Sequence, residues 1–288
     1  MGALSDIRTI QEILSRHHFT FSKAMGQNFL INPSVCPRMA QMGGAAPDAG
    51  VLEIGPGIGV LTCELAQRAG KVVAVELDKR LLPVLEETLH DYSNVTVINQ
   101  DVMKADLAGI IKKEFGKMDV YVCANLPYYI TSPVIMRLLE ERLPIKAITV
   151  MVQKEAAERL CAQPGTRQAG AVTLAVRYYA EPVRLFQVSR GSFYPAPHVD
   201  SAVIQLNIRQ TPAVAVRQEK LFFQAVHAAF AQRRKTLLNA LSSGLGLAKE
   251  QAGGILSRAN VSAGLRAEQL TLEQFAAIAD AMDEFWEK

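Results

Sequence analysis

Val51-Leu52-Glu53-Ile54-Gly55-Pro56-Gly57-Ile58-Gly59 decides the fold: an apolar strand over 51–54, a turn with glycine at every second position, and a helix expected over 59–69. Glycine lacks a Cβ. It can therefore take positive φ in a tight strand-to-helix turn and let the backbone approach a ligand beside the N–H groups that open the helix. A dinucleotide fingerprint of the form GxGxxG would need glycine at position 60, where the chain has Val60. The pattern is GxGxG with an acid two residues ahead of it, which suits a cofactor without a pyrophosphate. Gly55 and Gly57 are candidate cofactor-binding residues on that ground. A nicotinamide-dependent dehydrogenase fails on Val60 and on the lack of an evident histidine for hydride chemistry.

Outward from this turn, strands and helices alternate. The sequence predicts further strands over 72–77, 95–99, 118–124 and 147–152. An amphipathic helix capped by Ser5 precedes them and runs to Arg16. Between the strands come helices from Asp78, over 105–115, and one capped by Ser132 with Pro133 at its first position; a helix over 155–162 follows the last of these strands. Repeated strand–helix units of this length imply an α/β fold with a parallel sheet buried on both faces. After Gly165 the rhythm changes. Segments 182–188 and 202–208 read as two strands that can pair antiparallel at the end of the sheet. Gln210-Thr211-Pro212 marks a boundary, with helices expected over 219–231, 235–242, 249–257 and 272–286. The expected division is an α/β domain over 1–209 and a small all-helical domain over 210–288.

Composition excludes several classes. With 49% hydrophobic and 20% charged residues, the 288-residue chain can bury a large core and is not a disordered one. No apolar run reaches the roughly 20 residues that span a bilayer, and the first residues carry neither a signal-peptide nor a transit-peptide pattern, so a cytoplasmic monomer without membrane contact is the expectation. Cys36, Cys63, Cys123 and Cys161 are scattered without a CxxC pair, as small buried side chains in a reducing compartment and not as metal ligands. From Arg209 to Arg266 there are nine Lys and Arg against Glu219 and Glu250, and six acids follow from Glu268 to Glu287. Within the basic stretch, Arg233-Arg234-Lys235 can be a solvated helix face or a phosphate contact; the acid-poor surroundings favour phosphate contact. His17, His18 and His198 have no partner motif and are read as surface or loop-shaping residues.

Three more strand ends are polar. Glu76 closes the second strand, where a carboxylate can accept from both hydroxyls of a ribose; Asp101 closes the third, placed to accept from an adenine amino group; Asn125 closes the fourth. Ligands of open α/β sheets bind at these carboxyl ends. Asn125-Leu126-Pro127-Tyr128 then supplies what an exocyclic adenine amine needs in order to react. That amine is a poor nucleophile because its lone pair is delocalised into the ring. The Asn125 side-chain oxygen and the Leu126 carbonyl can draw both N–H groups out of conjugation, Pro127 fixes the turn, and Tyr128 offers a stacking face for the base.

With Gly26-Gln27-Asn28-Phe29-Leu30, Phe193-Tyr-Pro-Ala-Pro-His-Val-Asp-Ser201 and Phe230-Ala-Gln-Arg-Arg-Lys-Thr-Leu237, these motifs follow one another in the order of a known family. The chain resembles the ribosomal RNA adenine N6,N6-dimethyltransferases, and among them the bacterial small-subunit type. The resemblance implies a class I methyltransferase fold, a Rossmann-like, mostly parallel sheet of seven strands, in a catalytic domain over 1–209, with a small all-helical, RNA-binding domain over 210–288. It implies S-adenosylmethionine as methyl donor, S-adenosylhomocysteine as product, no metal, and contacts to the cofactor from Asn28, Leu30, Gly55, Glu76, Asp101 and Asn125. It implies that Asn125 to Tyr128 hold the target base, with Phe193 as second stacking partner. The implied substrate is a pair of adjacent adenosines near the 3′ end of 16S ribosomal RNA in an assembling small subunit. The lysine-rich approach to Gly26 keeps only Lys23 here, which weakens an N-terminal RNA contact. Large-subunit dimethylases of the macrolide-resistance type share most of these motifs, and the Phe-x-x-Arg-Arg-Lys-Thr-Leu stretch favours the small-subunit type. A DNA adenine methyltransferase would usually carry proline where Leu126 stands and a larger recognition domain. A non-catalytic ribosome assembly factor would not need the intact glycine loop and Asn125–Tyr128.

Overall fold

In a computed structural model of the chain, residues 4–20 and 28–286 are described; Lys23, Gly26 and Gln27, named above, lie outside them. The chain divides into two compact units, Met1–Ala157 with Val183–Ile208, and Glu158–Pro182 with Arg209–Lys288. The second unit thus takes in a segment ahead of residue 209 as well as the stretch after it.

The first unit is built on a seven-stranded sheet. Its strands are β2 (Ala49–Ile54), β3 (Lys71–Glu76), β4 (Val95–Asn99), β5 (Asp119–Asn125), β6 (Ala147–Gln153), β7 (Ala180–Val188) and β9 (Ser201–Ile208), in the order β4-β3-β2-β5-β6-β9-β7. From β4 to β6 the pairing is parallel, and β9 runs antiparallel to β6. Two short strands, β1 (Phe29–Leu30) and β8 (Phe193–Tyr194), form a separate antiparallel ladder. The helices α1 (Ile7–Arg16), α2 (Val35–Met42), α3 (Val60–Ala66), α4 (Leu82–Thr88), α5 (Leu107–Phe115) and α6 (Thr131–Glu140) precede or link the parallel strands, and α7 (Lys154–Leu160) follows β6. All six residues of β2 are buried, as a central strand covered on both faces requires. One apolar cluster joins Val51, Val72, Cys123, Met151 and Val203 of the sheet to Met39, Leu61 and Leu65. Another seats Ile10, Ile13 and Leu14 of α1 against Ile58, Leu81, Leu85 and Leu89. The chain leaves β2 toward β3 and β4 on one side and returns as β5 and β6 on the other, so β2 and β5 flank the switch point where such sheets open a crevice.

At three of the helix ends that differ from the sequence expectation the structure gives the physical reason. Asp6, not Ser5, caps α1, its Oδ2 accepting from Thr9 N at 3.0 Å. The helix expected from Pro133 begins at Thr131. Pro133 then occupies the third helical position, where a missing N–H is harmless because the first four have no partner within the helix. The helix expected over 235–242 is α10 (Leu237–Leu245), since Leu237 N and Leu238 N donate to the carbonyls of Leu265 and Ala263 and end the preceding turn there.

The second unit holds α8 (Ala171–Tyr179), α9 (Glu219–Ala231), α10, α11 (Lys249–Arg258) and α12 (Leu272–Trp286). The sequence predicts no helix over 171–179, where Val172, Thr173, Val176, Tyr178 and Tyr179 favour strand by local propensity. Packing overrides it. Tyr178 stacks on Phe222 with ring centroids 4.8 Å apart, Tyr179 stacks on Phe223 at 5.5 Å, and both tyrosine hydroxyls donate to Glu219. Among the described residues, no helix is long and apolar enough to cross a membrane.

Candidate active site

The carboxyl ends of β2, β3 and β5 and the turn after β4 open on one cavity. It is lined by Asn28, Leu30, Glu53, Gly55, Gly57, Glu76, Asp101, Asn125, Leu126, Pro127, Tyr128 and Phe193, among others. Every residue expected to meet the cofactor or the target base is in that set, although they are drawn from six separate stretches of sequence.

Gly55, Gly57 and Gly59 take φ of 69°, 61° and 91°, the left-handed region that side chains other than glycine rarely occupy. A Cβ on Gly57 would come within 3.3 Å of the Phe29 ring, and one on Gly59 within 3.0 Å of Thr88 Oγ1, whereas one on Gly55 would meet nothing within 4 Å. The loop therefore needs glycine for its backbone path, and at Gly55 it leaves room for a ligand. Glu76, buried at the end of β3, accepts from Gly57 N at 3.3 Å and from Asp78 N at 2.7 Å. Burial pushes its carboxyl above the usual range, the N–H groups of Asp78 and Gly57 oppose that shift, and the charge of Asp78 adds to it. Asp78 is in turn held by Arg80, with Nε and Nη2 at 2.9 and 2.6 Å from its two oxygens. Glu76 is thus a fixed carboxylate with lone pairs to spare. Asp101 does not close its strand as expected: β4 ends at Asn99, and Asp101 stands in the turn beyond it, which it caps by accepting from Met103 N at 2.9 Å. Arg137 of α6 steadies that turn by donating to the carbonyls of Val102 and Ala105, a contact no local pattern announces.

The donors and acceptors fit an S-adenosyl nucleoside. Glu76 can take vicinal hydroxyls, Asp101 can take an amino group, and Glu53 Oε2 is a buried acceptor with no hydrogen-bond partner among the described residues. No cluster of three or more His, Cys, Asp or Glu placed to hold a metal occurs among the described residues.

At the other end, Asn125 closes β5 with a side-chain amide that makes no hydrogen bond to the described residues. Thr131 Oγ1 and Ile130 N both donate to the Pro127 carbonyl, at 3.2 and 3.1 Å, and lock the turn into α6. Tyr128 is half-buried, and its hydroxyl is 2.8 Å from Ser201 Oγ, which is wholly buried at the start of β9. Burial raises the Tyr128 phenol, with Ser201 acting in the opposite sense. Phe193 lines the cavity but is only 3% exposed, its backbone paired with Leu30 in the β1–β8 ladder. Ser192, beside it, accepts from Asn32 Nδ2 at 3.1 Å and, through its carbonyl, from Ile31 N at 2.8 Å. Two serines of one returning segment therefore anchor the two aromatic candidates. Only Ser201 lay in a motif singled out from sequence, and its partner was not legible there.

Arg233, Arg234 and Lys235 all lie exposed in the turn between α9 and α10, not on a helix face. Arg233 Nη2 donates to the carbonyls of Arg167 and Ala169 within the same unit, at 3.1 and 3.2 Å. His17 is not a partnerless surface residue: its Nε2 is 2.6 Å from Glu87 Oε2, and Arg16 pairs with the same carboxylate. Arg16 first and His17 second hold Glu87 below the usual carboxylate range. His198 is exposed. Cys36 and Cys123 are buried, while Cys63 and Cys161 are partly exposed.

Residues 18–284 match the family model of ribosomal RNA adenine dimethylase. The chain is 50% identical over 276 residues to the ribosomal RNA small subunit methyltransferase A of Geobacillus thermodenitrificans, covering 94% of each protein. It is 46% identical to that of Alkaliphilus oremlandii, covering 97% of this chain and 98% of the relative. Among solved structures it is similar to a dimethyladenosine transferase from Plasmodium falciparum, with a TM-score of 0.74 and 24% identity over 90% of this chain and 98% of that one, a likeness of fold. It is also similar to the 23S rRNA methyltransferase ErmE, with a TM-score of 0.64 and 27% identity over 88% of this chain and 99% of that one. With the motif order, the cavity and these likenesses in agreement, the chain belongs to the ribosomal RNA adenine dimethylase family.

Proposed function

We propose that this chain transfers methyl groups from S-adenosylmethionine to the N6 amino groups of two adjacent adenosines near the 3′ end of 16S ribosomal RNA, within an assembling small subunit. The observation that carries the reading is the pairing of unengaged acceptors with a built nucleoside site. The Asn125 amide has no partner among the described residues and shares one cavity with Glu76 and Asp101. When bound, S-adenosylmethionine supplies a methyl group made electrophilic by its sulfonium. The protein's part is positioning. Asn125 Oδ1 and the Leu126 carbonyl accept the two N–H bonds of the target amine, which turns its lone pair out of the ring and toward the donor; orientation of this kind is worth about 7–11 kcal/mol at most. Tyr128 gives the base a flat wall and stabilises positive charge on the methylated ring. No strong general base is needed, because the amine becomes acidic once it carries that charge. Arg234 and Lys235, exposed in the α9–α10 turn, are phosphate contacts for the RNA, with Arg233 a partial one.

Identity of 46–50% to proteins named for the small subunit, against 27% to a 23S enzyme, favours the small-subunit substrate. The test is methyl transfer to small subunits that lack the modification, with mass mapping of the product nucleotides. Two adjacent dimethyladenosines are expected. Methylation only of large-subunit RNA, or none, overturns the reading.

A further inference from the structure

One carboxyl group in the cavity has no part in the positioning described so far. Glu53 stands on β2, opposite Ala74 of β3 and Cys123 of β5 in the sheet register. It is 1% exposed and lines the cavity, and its Oε2 has no hydrogen-bond partner among the described residues. Glu76, one strand away, is steadied by two backbone N–H groups; Glu53 has no such support. The titratable groups that act on it are all acids. Glu76 faces it from β3, Cys36 from α2, Cys123 from β5 and Cys63 from α3. Glu64, also on α3, is already paired with Arg68 at 2.6 Å. No Lys, Arg or His among the described residues acts on Glu53.

A bare carboxylate in such surroundings is strongly disfavoured, so the group keeps its proton until a cation arrives. Burial pushes Glu53 up to about 8, the charge of Glu76 adds to this, and the Thr62 hydroxyl offsets part of it without completing a well-formed hydrogen bond.

We infer that Glu53 is the counter-ion for a cationic group of the ligand that enters this cavity, and that it gives up its proton to solvent when that group binds. The inference rests on the methyl-transfer reading, because S-adenosylmethionine brings two cations, an ammonium and a sulfonium. The reaction is a proton exchange: neutral Glu53 and a cationic ligand become an ion pair, and one proton passes to the buffer. Ligand affinity must then rise with pH until Glu53 is ionised in the free protein as well.

The test is calorimetry on the full chain near pH 7, in buffers of different ionisation enthalpy, which counts the protons released. Three ligands separate the two cations: S-adenosylmethionine carries both, S-adenosylhomocysteine keeps only the ammonium, and 5′-methylthioadenosine has neither. Wild type is expected to release a proton, in whole or large part, with S-adenosylmethionine and none with 5′-methylthioadenosine. The same release with S-adenosylhomocysteine assigns the ammonium, and its absence there assigns the sulfonium. In Glu53→Gln, which keeps the size and neutrality of the resting group, the release should vanish while binding persists.

Equal proton release in wild type and Glu53→Gln overturns the inference, as does binding by wild type without release. Should Glu53→Gln fail to fold, wild type alone decides: affinity for S-adenosylmethionine should rise about tenfold per pH unit below pH ~8 and level off above it, and a flat profile overturns the inference. If wild type binds none of the three ligands, the methyl-transfer reading falls too.

Discussion

Two stretches of this chain, Asn125-Leu126-Pro127-Tyr128 and Arg233-Arg234-Lys235, both look in sequence like places that touch the substrate, and the fold treats them differently. In the first, the backbone is tied down by Thr131 and Ile130 and the Tyr128 hydroxyl by Ser201, while the Asn125 amide is left without a partner among the described residues. In the second, one of three cations is turned inward onto the carbonyls of Arg167 and Ala169. A rigid frame around an unengaged polar group is what an orienting site needs, because a nucleophile gains from being held only if the holder does not move. A run of charges carries no such guarantee. Its members are equivalent in sequence and become unequal once one of them meets a backbone acceptor.

The sharpest way to break this contrast is Asn125→Ala. Single-turnover methyl transfer at saturating cofactor should fall below detection while circular dichroism stays native, because part of the roughly 7–11 kcal/mol available from positioning is lost. A folded variant with near-normal rates would make the loop structural. Glu76→Ala comes next. It removes a carboxylate that accepts two backbone N–H bonds and can accept ribose hydroxyls, and hydrogen bonds to a charged group are worth about 1.5–3 kcal/mol each. Affinity for S-adenosylmethionine, measured by titration calorimetry, should drop at least a hundredfold; unchanged affinity would remove Glu76 from the site.

The two aromatic candidates should separate on different axes. Phe193 is 3% exposed within an apolar cluster, so Phe193→Ala should lower unfolding stability by about 3–5 kcal/mol in a denaturant titration. Tyr128 is half-buried and tethered at its hydroxyl, so Tyr128→Ala should act mainly on rate, through loss of a stacking contact of about 1–3 kcal/mol. Equal stability losses in the two would contradict the burial difference. The smallest effects belong to the basic turn. Arg234→Ala and Lys235→Ala should each flatten the salt dependence of RNA binding by about 0.7–0.9 in slope, without shifting the melting temperature. Arg233→Ala should lower the melting temperature by a few degrees and change the slope less. If all three change the slope equally, the hydrogen bonds of Arg233 do not set it apart.

Much of the first unit could be read along the chain, because parallel strands buried on both faces are short apolar runs and their polar last residues stand out. The runs ending in Glu76 and Asn125 show this, and so does the glycine loop, whose three left-handed residues only glycine accepts readily. Local chemistry misled where a distant partner decides. Helix α8 forms from strand-favouring residues because Tyr178 and Tyr179 stack on Phe222 and Phe223. Helix α10 starts at Leu237 because the carbonyls of Ala263 and Leu265 receive its first N–H groups. The two-residue strands β1 and β8 have no sequence period to detect; they exist only because Phe29 and Leu30 meet Tyr194 and Phe193 across more than half the chain.

Sequence by itself determined the inventory of this protein: the glycine turn, the acids at successive strand ends, the Asn125 loop, and the order in which they come. Each follows from a residue's own conformational range or from the period of its neighbours, and both are local properties. Tertiary structure alone decided the state of each group. It left Glu53 without a basic partner among the described residues while giving Glu76 two N–H donors, fastened Tyr128 through Ser201, and turned Arg233 inward. The physical reason is that charge state, solvation and rigidity depend on what surrounds a side chain in space, and residues far apart in the chain supply those surroundings.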